Sequence, residues 1–302
     1  MFITACVFAI FANIGMWSFI IPQFDLLVHF QVQYLFIFAL IAMVFAFQKK
    51  ILMLTIVFLF SIPSISKVIP WYFGDVNKGF PSMHILCVNV KATNTNIGAI
   101  EKLVKDTDAD FLVLLESMHH HQVGLENLEI DYPNTYSHSL ETGSGFLLYS
   151  KIPISNTEAF VNGATGMVTI ATTVRIENKD VDLVAVHPIR PGIRHGSRIR
   201  DKEMQNISAF LKTRSGDAVV IGDLNTTMWS RAYANFILTN GLFNLRKGRG
   251  ILPSWRLDPF GPLFAIPIDH CFVRGGVEGA SLNFHSLDGS DHDAILVGIS
   301  IN

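Results

Sequence analysis

Gly289-Ser290-Asp291-His292-Asp293 closes directly into the apolar run 294–297. Such a stretch reads as a polar loop entering a buried strand, able to present a carboxylate and an imidazole side by side. Four further polar spots stand beside short apolar runs: Asn89 after 85–88, Glu116 after 111–115, Asp223 with Asn225 after 218–221, and Asp269-His270 after 264–268. One strand that ends in a carboxylate is ordinary. Five such sites with a common polar character point to a hydrolytic metal site.

Around these runs the chain alternates short apolar and amphipathic segments. Residues 85–90, 111–115, 145–149, 167–174, 181–186, 218–221, 266–273 and 294–299 read as strands, and 97–104, 201–211 and 230–238 as helices. Many strands with few, peripheral helices predict stacked sheets with helical outer layers, an α/β (α+β) class.

The first seventy residues are of a different kind. The chain of 302 residues is 50% hydrophobic with mean hydropathy +0.37, and the excess lies there, where Asp25, Lys49, Lys50 and Lys67 are the only charges. Residues 2–21 carry no charge and are long enough to span a bilayer, since roughly 20 apolar residues cross about 30 Å of hydrocarbon. A cleaved signal peptide is the competing reading, weakened by the missing basic start and the further apolar segments. Residues 26–47 form a second span with His29, Gln31 and Gln33 near one interface. Residues 51–70 form a third run, either a kinked span or an interfacial piece; Trp71 and Tyr72 then read as an interfacial belt. The expectation is a membrane anchor over 1–72, a linker over 73–82 and a globular domain over 83–302. The Lys49-Lys50 pair places its loop in the cytoplasm. Three spans then put the globular domain outside, on the periplasmic or extracellular side of a bacterial inner membrane; if the third run does not cross, the domain is cytosolic.

Beyond residue 70 there are 20 basic and 24 acidic residues, a net charge near −4. That balance excludes a broad attraction to nucleic acid, so a polyanionic substrate needs a local basic patch. Arg190, Arg194, His195, Arg198 and Arg200 supply one, with guanidinium forks suited to phosphate oxygens. Cys6, Cys87 and Cys271 have no metal-ligand spacing. Cys87 and Cys271 read as buried thiols, a bridge being conceivable if the domain is exported.

Taken in order, Val88-Asn89-Val90, Asp110 to Glu116, Gly145 to Lys151, Val186-His187-Pro188, Ile221-Gly222-Asp223-Leu224-Asn225, Ile268-Asp269-His270 and Ser290-Asp291-His292 resemble the endonuclease/exonuclease/phosphatase superfamily, in particular bacterial members with a short membrane anchor. The resemblance implies a four-layer α/β sandwich of two mixed β-sheets flanked by helices, and hydrolysis of phosphoester bonds with Mg²⁺ or a similar divalent ion such as Mn²⁺. It implies that Asp223 orients or deprotonates the attacking water, that Asn225 binds a phosphoryl oxygen, and that Asp269 and His292 form an acid-imidazole dyad. His187 stands where relatives carry a histidine close to the scissile phosphate, and Trp255 where relatives place an aromatic against substrate.

The chemistry asks for these residue types independently. Phosphoester hydrolysis needs a hard cation, a base near the water and an acid at the leaving oxygen. Mg²⁺ keeps several waters and takes one or two carboxylates plus an amide, which Glu116, Asn89 and Asp291 supply. His270 faces away from Asp269 in a strand and reads as packing; His119-His120-His121 reads as a poor ligand tract because consecutive residues cannot all face one ion. Arg190, Arg194 and Trp255 are the candidate substrate contacts. Substrate remains open among nucleic acid, a phospholipid head group and an inositol phosphate. The alternative is a membrane-tethered binding module that keeps the fold without turnover.

Overall fold

Runs such as Phe111 to Leu115 are apolar on both strand faces and therefore need cover on both sides. A computed structural model of the chain, which describes residues 2–14, 21–74, 76, 79–138, 141, 143–163, 165–191, 197–214, 216–257, 259 and 261–302, supplies that cover with four layers.

The N-terminal part is helical: α1 (Phe2–Ile14), a short α2 (Asp25–Val28), α3 (Gln31–Phe47) and α4 (Ile51–Val68), which runs on as a 3-10 turn over Ile69–Tyr72. In the remainder, β1 (Met83–Asn89), α5 (Ile97–Thr107), β2 (Phe111–Ser117), α6 (His119–Gly124), β3 (Asn134–His138) and β4 (Gly145–Ser150) come first. They are followed by β5 (Ile154–Val161), β6 (Val168–Ile176), β7 (Lys179–Val186), α7 (Arg198–Lys212), β8 (Ala218–Asp223) and α8 (Arg231–Asn240). The chain ends with β9 (Phe243–Asn244), a hairpin of β10 (Trp255–Leu257) and β11 (Gly261–Ile266), then β12 (Asp269–Arg274), β13 (Val277–Ser286) and β14 (Asp293–Ile301).

Two six-stranded sheets result, ordered β13-β14-β1-β2-β4-β3 and β5-β6-β7-β8-β12-β9. Each has one parallel pair among its described strands, β1–β2 in the first and β7–β8 in the second. Ile85, Val113, Ile295 and Val297 of one sheet meet Ile170, Leu183, Ile221 and Cys271 of the other in a shared core. The outer face of the first sheet is covered by Ile100, Leu103 and Val104 of α5. The outer face of the second is covered by Met204, Ile207 and Leu211 of α7 and Tyr233 and Phe236 of α8. Val28 and Val68 of the N-terminal helices belong to that same cluster.

Several expectations need correction. The run over 26–47 is not one helix: it breaks at His29-Phe30, leaving α3 with 17 residues. Its polar groups, and Asp25 just before it, bond to protein, which makes their burial tolerable. Asp25 pairs with Arg200 at 2.8 Å, His29 Nδ1 lies 2.9 Å from Thr227 Oγ1, and Ser64 Oγ donates to Gln31 Oε1 at 2.9 Å. That last bond joins the start of α3 to the end of α4, so the two form an antiparallel hairpin. The first run contains α1, of 13 residues, and its positions 15–20 lie outside the described residues. Ile51–Tyr72 is the one helix among the described residues long and apolar enough to cross a membrane. Trp71 packs edge-on against Tyr233 and under Lys247, while Tyr72 is largely exposed. The strand expected over 266–273 divides into β11 and β12 at Pro267-Ile268. Cys87 and Cys271 are buried free thiols.

One glycine controls how closely the parallel pair of the second sheet approaches. Gly222 has φ +149° and a Cβ there would lie 1.9 Å from the carbonyl oxygen of Val186. Gly222→Ala is expected to destabilise the fold by about 2–3 kcal/mol or more through forced separation of β7 from β8. Gly163→Ala, where nothing lies within 4 Å, is the matched control; equal thermal unfolding of the two variants would contradict the packing argument.

Candidate active site

Both parallel pairs deliver their C-terminal ends to the same edge of the sandwich, the edge where open α/β sheets bind ligands. Asn89 closes β1, Glu116 is the penultimate residue of β2, Asp223 closes β8 and His187 follows β7. Strands β12 and β14 run antiparallel to their neighbours, so their beginnings reach that edge. Asp269 therefore stands directly opposite Asp223, and His292 immediately precedes β14.

The side chains meet. Asn89 Nδ2 donates to Glu116 Oε1 at 2.8 Å and lies 3.5 Å from Asp223 Oδ2. His187 Nε2 is 3.7 Å from Glu116 Oε1 and 3.6 Å from Asp223 Oδ2. His292 Nε2 is 3.7 Å from the same Asp223 oxygen, while its Nδ1 lies 2.9 and 3.1 Å from the two oxygens of Asp269. Asp223, Asp269 and His292 each offer a ligand atom within 4.8 Å of the others. Glu116 and Asn225 both adopt left-handed backbone, with φ 54° and 50°, a conformation uncommon outside glycine and often found at functional sites.

The chain belongs to the Endonuclease/Exonuclease/phosphatase family. The match to this family runs over residues 86–292, from β1 through the Asp-His stretch that precedes β14. Its fold is shared with TDP2 of D. rerio complexed with single strand DNA product, at 16% identity and TM-score 0.62 over 72% of this chain and 98% of that one. The human Nocturnin catalytic domain with bound sulfate anion aligns at 16% identity and TM-score 0.59, over 77% and 99% of the two chains. The endonuclease/exonuclease/phosphatase from Beutenbergia cavernae DSM 12333 aligns at 15% and 0.60, over 73% and 72%. No curated protein matches the sequence. Enzymes of the family are hydrolases of phosphoester bonds.

Burial sets the electrostatics of the family site. Asp223 is pushed up to about 8 by burial and by the facing Asp269 carboxylate, with His292 opposing. Burial also works against charge on Asp269, but His292 outweighs it and holds that carboxyl below the usual range. Desolvation disfavours a charged His292, yet Asp269 and then Asp223 outweigh it and hold the imidazole up at about 10. His187 is pushed down by burial, and its Nδ1 is buried without a hydrogen-bond partner. Three carboxylates around two imidazoles, one of them neutral, leave an excess of hard, negatively charged oxygen. That donor chemistry fits Mg²⁺ or Mn²⁺. Glu116 is partly open to solvent, with Oε1 accepting from Asn89 and Oε2 from the Ala92 N–H; the oxygens of Asp269 are taken by His292 and Ser254.

Several candidates are placed differently from expectation. Asn89 turns its Oδ1 to the Lys91 N–H at 3.0 Å, so its nitrogen and not its oxygen faces the carboxylates. Asp291 accepts from Trp255 Nε1 at 3.1 Å and faces Lys91 Nζ at 3.6 Å. Asn225 donates its amide to Pro188 O at 3.0 Å and its backbone N–H to Asp223 Oδ1 at 2.7 Å. Arg190 is exposed just after His187-Pro188, and Arg194 lies outside the described residues. Arg200 leaves the expected basic patch altogether, buried on Asp25. His270 is packing, as expected, with Nε2 on Thr226 O and its ring against Tyr233 and Phe272. His120 and His121 both reach the carbonyl of Asn94 and hold a loop.

Supporting residues escaped the sequence reading. Ser254 Oγ accepts the N–H groups of Ile268 and Asp269, and the fully buried Arg246 donates to Asp269 O at 2.7 Å. No local pattern marks either, because their partners are remote in sequence.

The His292 value rises on folding, so its contribution to stability is complete below the free imidazole value near 6.5 and is lost as pH rises through about 10. An NMR titration of the metal-free chain should find His292 still protonated at about pH 8, and Asp269→Asn should lower its value by about two units or more. A wild-type His292 that titrates at or below about 6.5 would contradict the dyad electrostatics.

Proposed function

We propose that the chain is a membrane-anchored, divalent-metal-dependent phosphoesterase that hydrolyses a phosphodiester or phosphomonoester by in-line attack of water. The observation that carries this reading is the carboxyl of Asp223 facing the imidazoles of both His187 and His292, at 3.6 and 3.7 Å. With its value pushed up to about 8, Asp223 changes charge close to neutral pH, and its ionised form, which grows as pH rises through that value, is the general base that takes a proton from water. The imidazolium of His292, oriented through Nδ1 by Asp269, offers Nε2–H to charge that builds on the phosphoryl oxygens. His187 lends a second imidazole to the same Asp223 oxygen that His292 faces, and Asn225, whose backbone N–H holds the other oxygen of Asp223, is assigned to a phosphoryl oxygen. Glu116, with Asn89 and Asp291, would hold Mg²⁺ or Mn²⁺, which when bound would neutralise charge on the non-bridging oxygens. Arg190, Arg194 and Trp255 are assigned to substrate; the indole of Trp255 already bonds Asp291, beside His292.

The anchor is assigned to residues 1–72, the linker to 73–82 and the catalytic domain to 83–302. Phe36, Leu40, Met43 and Phe47 of α3 and Ile51, Leu52, Phe58 and Leu59 of α4 are exposed, which supports a lipid-facing surface. The α3–α4 hairpin carries Lys49 and Lys50 at the end remote from the domain, since Lys67 O, Pro70 O and Gln33 bond to Trp229, Lys247 and the β10–β11 hairpin. Basic residues at that end favour a cytoplasmic tip and an external domain, in the inner membrane of a bacterium. The substrate is a phosphoester in nucleic acid, a phospholipid head group or an inositol phosphate.

The full chain in detergent should hydrolyse bis(4-nitrophenyl) phosphate with Mg²⁺. Asp223→Ala and His292→Ala should each lower kcat by about 100-fold or more, and EDTA should abolish turnover. Unchanged rates in either variant, or full activity in EDTA, would defeat the mechanism.

A further inference from the structure

Asp25 is the one acidic residue in the first seventy, and it is 3% exposed. A carboxylate so placed needs a buried partner, and it has Arg200, itself fully buried, at 2.8 Å. The same guanidinium holds Asp201 at 2.7 Å and donates through Nη1 to the carbonyl of Asn225 at 3.1 Å. Asn225 is the left-handed residue whose backbone N–H donates to Asp223 Oδ1 at 2.7 Å and whose amide donates to Pro188 O, next to His187. One fork therefore ties α2 to the turn that aims the proposed base.

A second tie lies four residues further along the helical segment and two further along the turn. His29 Nδ1 is 2.9 Å from Thr227 Oγ1 and accepts from Thr227 N at 3.4 Å. Val28 and Val68 pack in the same apolar cluster as Val186, Leu224, Met228 and Trp229, which bracket that turn. Other docking contacts touch the domain elsewhere: Lys247 Nζ donates to Pro70 O at 2.6 Å, and Gln33 Nε2 donates to Leu263 O and Ala265 O.

We infer, on the basis of the phosphoesterase reading, that the N-terminal helical segment is part of the catalytic apparatus: Asp25 through Arg200, and His29 through Thr227, are positioning residues for the Asp223–Asn225 turn. A left-handed asparagine persists only where its surroundings over-determine it, and here the guanidinium that bonds its carbonyl is itself held by Asp25 of the N-terminal helices. Attachment of the segment and alignment of the base are then one structural event. Residues 83–302 without it lack the brace.

The test uses the full chain in detergent with two readouts: hydrogen exchange of backbone amides 224–227, and steady-state kinetics on bis(4-nitrophenyl) phosphate with Mg²⁺. Asp25→Asn should accelerate exchange in the turn about tenfold or more and lower kcat about 10- to 100-fold, with KM within about twofold. Asp25→Glu should restore most of the loss, and Lys247→Met, which cuts a docking contact away from the turn, should match the wild type. Thr227→Val tests the second tie by the same readouts and decides alone if Asp25→Asn does not fold. Turn exchange or kcat that stays at the wild-type level in the folded variants overturns the proposal, as does an equal loss in Lys247→Met. A wild-type chain without turnover would remove the phosphoesterase reading, while the exchange measurements would still decide whether the segment braces the turn.

Discussion

Two buried carboxylates held opposite each other across an antiparallel strand pair are the constraint on which the site depends. Asp223 and Asp269 face each other because β8 and β12 pair in a register that permits no other arrangement of these positions. Like charges at this depth cannot both persist without compensation. His292 provides it: its imidazole bonds Asp269 through one nitrogen and faces Asp223 with the other. The result is a division of labour, with one carboxylate kept ionised as an orienting group and the other left ready to exchange a proton near neutral pH.

Keeping that arrangement rigid requires charges behind it. Arg246, fully buried, donates to backbone carbonyls on Ile251, Leu252 and Asp269 and stacks its guanidinium 4.9 Å from the Phe284 ring. It places positive charge behind Asp269 without forming an ion pair that would draw the carboxylate away from His292. Arg200 does the same for the Asp223 turn, with its own charge balanced by Asp25 and Asp201. Both are costly to bury singly; Arg200 is bonded through Nε, Nη1 and Nη2, and Arg246 through Nη1 and Nη2 while its Nε is buried without a partner.

Much of this was legible before any coordinates. The alternating runs announced layered sheets, and the polar residues at their ends, Asn89, Glu116, His187, Asp223, Asp269 and His292, do converge. Where the reading erred, it treated sequence neighbours as spatial neighbours. Arg190 and Arg200 looked like one basic patch, yet one is exposed and the other is interior. Asp291 adjoins His292 in the sequence, and nothing local shows that its oxygens will be engaged by Trp255 and Lys91. For His29 and Gln31, nothing local shows that Thr227 and Ser64 will meet them.

By itself the sequence determined the elements: apolar period sets where strands and helices form, and a polar residue at a strand end is written into the chain whatever it later faces. Only the tertiary structure decided which of those ends share an edge, which cations are interior and whether the nitrogen or the oxygen of an amide such as Asn89 faces inward. These depend on strand order, register and parallel or antiparallel sense. Those quantities are fixed by contacts between residues as far apart as Asp25 and Arg200 or Asp223 and His292, a separation across which no local propensity carries information.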